Sequence, residues 1–132
     1  MCSSFKQESW LGIHDLDTNV LKMALYTAIA DLSQATTVYT PTNEISGTGY
    51  LAGGIPLTGA QVLLSGTTAY LTFNNPVWSG ASFTCRGALI YNSSQANRAI
   101  AVLDFGADKT ASGTFTVQLP AATATTALLR FA

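Results

Sequence analysis

The chain has 132 residues, with six Lys and Arg against seven Asp and Glu and a formal net charge of −1. Apolar residues make up 48% and charged residues 10%, against about 25% charged in an ordinary soluble domain. This length fits one domain that needs neither disulfide nor metal to fold. The scattered Lys6, Lys22, Arg86, Arg98, Lys109 and Arg130 give none of the basic stripes that nucleic-acid binding uses.

The opening "MCSSFKQESWLGIHDLD" lacks a basic stretch followed by an apolar one, so no secretory signal is expected. No uncharged apolar run in the chain approaches the roughly 18 residues needed to span a bilayer. The expected protein is therefore soluble, made in the cytoplasm and without a membrane partner. Residues 1–12 read as a possible N-terminal arm, with segment 3–11 offering a sheet edge and Phe5, Trp10 and Leu11 as its anchors. Cys2 lies in a terminus expected to be mobile, which argues against a bridge to Cys85. His14, in "HDLD", reads as a solvated surface group. A metal site needs at least three suitable ligands, and a hydrolytic triad would need a "GxSxG" elbow that the chain lacks. Hence no catalytic residue, metal or cofactor is expected.

In "NVLKMALYTAIADL" both the helical set Leu21, Leu25, Ala28, Leu32 and the strand set Leu21, Met23, Leu25, Thr27 fit the pattern. The favoured reading is a strand over 20–27, followed by a short turn or one helical turn. Next comes "YTPTNEISGTGYLAGGIPLTG", residues 39–59, with two prolines and a single charge, Glu44. Gly47-Thr-Gly49-Tyr-Leu-Ala52 matches a loose dinucleotide-binding pattern, but that motif must open a helix. Gly53, Gly54 and Pro56 follow at once, so tight turns explain the glycines better. Tyr39, Pro41 and Tyr50 are candidates for contact with another protein, because interface anchors are rich in aromatic side chains.

From residue 60 onward, short runs rich in Val, Leu, Ile, Phe, Tyr and Thr predict strands at 60–65, 68–73, 82–92, 98–106, 113–119 and 126–132. The separators "SGT", "NNPVWSG", "NSSQAN", "GADKTAS" and "PAATAT" supply turn residues. Trp78, in "NNPVWSG", is either a lid on the core or an anchor at an interface. Cys85 reads as a small buried hydrophobe. Asp104 and Asp108 read as turn residues around Gly106; the "DFG" triplet there stands without any other kinase motif. Arg86 and Arg98 are expected on the solvent face of strands, free to meet a neighbouring subunit. The fold expected is all-β, a single-domain antiparallel β-sandwich of jelly-roll-like type.

The blocks "LKMALYT", "YTPTNEISGTGYLAGG", "NPVWSGASFTCRGALIYN", "AVLDFGADK" and "ALLRFA", in that order, resemble a widespread family of small tailed-bacteriophage virion proteins. The Cys2 start and "TAIADLSQ" depart from the family pattern. The resemblance implies a structural role similar to that of capsid decoration, or cement, proteins on the outside of the head shell. It implies the major capsid protein as partner, assembly as a homo-dimer or trimer, and no enzymatic activity. A different class remains open: a receptor- or glycan-binding module of a head fibre or tail tip, with Tyr39, Tyr50 and Trp78 stacking on sugars.

Overall fold

The computed structural model describes residues 1–131; Ala132, the last residue of the expected final strand, lies outside them. Strands account for 45% of the chain and helix for 6%, in two antiparallel sheets that make a sandwich-like domain. The first sheet holds β1 (Leu21–Tyr26), β2 (Ile55–Pro56), β5 (Val77–Asn92) and β6 (Arg98–Thr116) in the order β2-β1-β5-β6. The second holds β3 (Gln61–Ser65), β4 (Thr68–Thr72) and β7 (Leu129–Phe131) in the order β3-β4-β7.

β1 answers the periodicity question in favour of a strand. Every residue in it except Lys22 is buried, because β2 and β5 flank its edges and protein covers both faces. A strand buried on both faces loses the alternation that would distinguish it from a helix. Residues 27–37 then continue as turns, closed by Ala30 N–H to Thr27 O at 3.2 Å and Thr36 N–H to Ser33 O at 3.0 Å.

The 98–106 run and residues 113–116 of the 113–119 run lie in one strand, β6, and not two, while residues 117–119 lie beyond its end. The expected turn between the two runs is an irregularity inside the β5–β6 ladder. Arg86 alone on β5 faces Phe105–Asp108 on β6, between the Cys85–Lys109 and Gly87–Asp104 pairs. Gly106, at φ +79°, supplies the left-handed backbone such a bulge needs. Similarly, "NPVWSG" is not a loop: Val77–Gly80 belong to β5, and the register slips between Trp78 and Ala81. Glycine in these runs marks a kinked strand, which sequence alone renders as a break.

The N-terminal segment is also different from expectation. Ser3–Trp10 forms a helix, α1. It closes with the paired bonds of a Schellman ending, Ile13 N–H to Glu8 O at 3.1 Å and Gly12 N–H to Ser9 O at 3.3 Å, with Gly12 at φ +71°. Ahead of it Cys2 is fully buried and donates its N–H to Ile100 O at 2.8 Å. The terminus is therefore docked along the outer edge of β6, and Phe5 enters the core. No free strand is left there to exchange with a neighbour.

The candidate interaction surface

The glycine-rich stretch is a built strap around one carboxylate. It starts beside the end of β1, where Ile45 N–H bonds Leu25 O at 3.0 Å, runs out to Thr48 beside Ser82, and returns to pair Ile55 with Met23. Glu44 Oε1 accepts the Tyr39 hydroxyl at 2.5 Å. Glu44 Oε2 accepts the Tyr50 hydroxyl and, at 2.7 Å, the Gly53 amide. The Tyr50 oxygen in turn accepts Leu25 N–H at 3.0 Å, and Tyr91 donates to Gly53 O at 2.6 Å. Burial first, and the bonds to Glu44 second, push the Tyr39 and Tyr50 hydroxyls well above the ordinary phenol range. They stay protonated donors at any physiological pH. The strap must also lie close to the strands: a Cβ at Gly54 would stand 1.8 Å from Met23 O, and one at Gly49 would stand 2.6 Å from Gly80 O. Phosphate binding has no place here, since no helix follows and the Gly53 amide already serves Glu44.

A second polar cluster lies beneath α1. Glu8 accepts Arg98 Nη1 at 2.5 Å through Oε2, while its Oε1 stands 3.7 Å from His14 Nε2. The His14 side chain is 1% exposed, so it is an interior group and not the solvated one expected. Asn92 links the cluster to the β5–β6 turn through Nδ2, which reaches His14 Nδ1 at 3.0 Å and Asn19 Oδ1 at 2.9 Å. An Asn donor at Nδ1 assigns the proton of neutral His14 to Nε2, which points it toward Glu8. Burial pushes the His14 pKa down from 6.5, against the opposing pull of Glu8. Arg98 and Arg86 both find partners within the chain; Arg86 Nε meets Asp104 Oδ1 at 3.3 Å. Asp104 also accepts Gly106 N–H at 2.8 Å, so it shapes a bulge and not the turn expected.

The residues expected to form an interface divide sharply. Phe5, Tyr50 and Trp78 are core residues, with Trp78 2% exposed and packed on Phe115 at 5.9 Å between centroids. Tyr39 is half-buried and stacks on Tyr91 at 4.8 Å. Pro41 is exposed in the strap. Trp10 and Leu11, at the end of α1, stand 92% and 67% exposed. Cys85 is buried as expected, and burial pushes its thiol up to about 11. Cys2 and Cys85 are free thiols.

The three strands of the small sheet fall within the runs predicted at 60–65, 68–73 and 126–132; what sequence reasoning passed over is the apolar face they share. The ladder of this sheet pairs Val62 with Leu71, Leu64 with Ala69, Leu71 with Leu129 and Ala69 with Phe131. Paired residues share a face and so do residues two apart, so these six form one apolar face. Part of it meets α1, where Phe5 and Phe131 stack with centroids 6.1 Å apart. Between them remains an apolar cleft of about 390 Å³, walled by Phe5, Leu16, Val62, Leu71, Leu129 and Phe131 and bordered by Asp15, Asp17 and Arg130. At the sheet's outer edge Leu64 is 74% exposed, and every residue of β3 is exposed. "QVLLS" shows a short apolar run between polar ends, and nothing in it says that the cover stops short.

Among the described residues no group of three His, Cys, Asp or Glu is placed to hold a metal ion. No helix among them is long and apolar enough to cross a membrane. No protein-family model matches the chain, and no curated protein or solved structure is significantly similar to it.

Proposed function

We propose that this protein is a non-enzymatic structural component of a tailed-bacteriophage particle, of the capsid decoration type, that stabilises the head shell by bridging capsid subunits. The observation that carries the reading is a set of large apolar side chains left exposed on an otherwise closely packed domain. Trp10, Leu11, Val62, Leu64 and Phe131 are all exposed, on a chain with few charges. Such patches mark contact sites, and Trp is the side chain most enriched among interface anchors. The sequence blocks that resemble phage virion proteins supply the setting. In that setting the protein is made in the host cytoplasm and lodges on the capsid surface against the major capsid protein. Many modest contacts repeated over a shell add up without any one being strong.

The glycan-binding reading draws on aromatic rings displayed at loop tips. Tyr50 and Trp78 are buried and Tyr39 is stacked against Tyr91, which leaves that reading without its platform. The test is addition of purified protein to expanded heads that lack it. Saturable binding at hundreds of copies per head, with a gain in resistance to heat and osmotic shock, is the expected result. A protein that stays in the supernatant, or a native particle carrying a few dozen copies or fewer, ends the decoration reading.

A further inference from the structure

We propose that two copies of this chain associate about a two-fold axis through the α1–β3 face, with Trp10 of each copy entering the apolar cleft of the other. The inference deepens the decoration reading by naming the surface that joins copies, and it rests on that reading only for the setting in which copies meet.

Three observations carry it. First, knob and hole sit on the same part of the molecule. Ser9 lines the cleft and Trp10, the next residue, stands 92% exposed with Leu11 beside it. A two-fold contact uses one patch on both partners, so it needs a surface that carries both complementary halves. Second, the sizes agree. A cleft of about 390 Å³ is within the roughly 300–1,000 Å³ of ordinary binding pockets and admits an indole with room for Leu11. Third, the rim is complementary to itself in charge. Asp15 and Asp17 border the cleft from the loop after α1, while Arg130 borders it from β7. No ion pair joins the two sides among the described residues. A two-fold rotation lays the acidic side of one copy over the basic side of the other. Asp15 Oδ1 already accepts Asp17 N–H at 3.2 Å, and Arg130 Nη1 donates to Thr125 O, so Asp17 is the residue expected to meet the remaining donors of Arg130. A shell subunit or a small apolar molecule would explain the cleft but not the self-matching charges.

The test is sedimentation velocity of the full chain across the micromolar range. The wild type is expected to form a dimer. Trp10→Ala, at an exposed position, is expected to keep the wild-type melting temperature and to weaken association at least about thirty-fold, as loss of a hot-spot tryptophan does. Asp17→Arg and Arg130→Asp are each expected to weaken it, and the double variant to restore it. A wild type that stays monomeric throughout overturns the proposal, as does a Trp10→Ala protein that dimerises normally or a double variant with no recovery. A dimer that ignores phage heads upholds this inference and removes the decoration reading. A strict monomer that binds heads, and loses them on Trp10→Ala, gives the cleft to the shell protein and overturns self-association.

Discussion

β1 and β3 are written in nearly the same alphabet and meet opposite fates. "LKMALY" has one residue that is not buried, and "QVLLS" has no residue that is. The difference lies in what the rest of the chain brings. Around β1 the strap returns twice, and each backbone group it approaches is paired or pressed close. β3 is paired only with β4 among the described residues, and half of an apolar face is left to water. Apolar content thus tells how much surface a strand wants covered and not whether its own chain covers it. On this molecule the covered strand makes stability and the uncovered one is available for contact.

The sharpest way to break the covered side is at Gly54. A methyl there would lie 1.8 Å from Met23 O, and the backbone stands at φ +80°, so either β2 leaves β1 or the strap unseats. Gly54→Ala is expected to cost on the order of 4 kcal/mol or more. Urea titration would show this as a collapse of the midpoint, or soluble expression would fail outright.

Tyr50→Phe should break the same region more gently. It removes a donor from Glu44 and leaves buried Leu25 N–H without its acceptor. The expected loss is about 2 kcal/mol. Tyr39→Phe removes one bond from a half-buried ring and is expected to cost about half as much. Equal losses at the two tyrosines would mean that Glu44, and not the bond to β1, sets the strength of the strap.

The helical docking on the far side can be read through pH. His14 has its folded pKa pushed below 6.5 by burial, with Arg98 acting in the same direction and Glu8 opposing; Asn92 and the Phe5 ring are its uncharged neighbours. Below about pH 6.5 the unfolded chain therefore binds a proton that the folded one refuses. Stability is expected to be flat from that pH up to about pH 8, above which the raised pKa values of the buried thiols and phenols begin to lower it, and to fall as the solution is acidified through pH 6.5 toward the folded pKa of His14. The aspartates whose folded pKa values lie below 3.8, Asp15 and Asp104, act only in a lower window. Melting curves should show the loss, and His14→Gln should flatten it. A melting temperature that rises on acidification would mean that His14 takes up the proton in the folded state and is held as an imidazolium by the Glu8 carboxylate.

The parts of this architecture that could be read from the sequence are those that obey a single local rule. Phe115 alternates with Thr114 and Thr116, and the strand is there. The hairpin at Gly66 was announced by "SGT" between two apolar runs, and β3 and β4 flank it. The failures occur where two rules compete. Gly106 and Gly80 signalled turns, but a long ladder absorbed them as bulges. Gly12 was the better guide to the N-terminus, since a glycine closing eight residues without β-branching ends a helix as readily as it interrupts an arm. Of the candidate surface, Trp10 and Leu11 could be picked out as large apolar residues in a polar segment. Val62, Leu64 and Phe131 could not, because their exposure follows from the absence of a covering element, which no local pattern records. Glu44 stood alone among glycines and tyrosines, and a lone acid beside several phenols is the trace such a hub leaves.

The weakest expected effect is the one that tests the uncovered strand most directly. Leu64→Thr replaces an apolar side chain that is 74% exposed with one of equal fitness for a strand. If β3 serves only its own fold, the exchange removes packing and stability falls measurably. If the face awaits a partner, water already surrounds Leu64 and the isolated protein should stay within about 0.5 kcal/mol of wild type. Denaturant midpoints at a concentration where the chain is monomeric, compared with those where it is associated, would separate the two. An unchanged monomer with a weakened assembly places the worth of Leu64 between molecules, the reverse of what Gly54 and Tyr50 do within one.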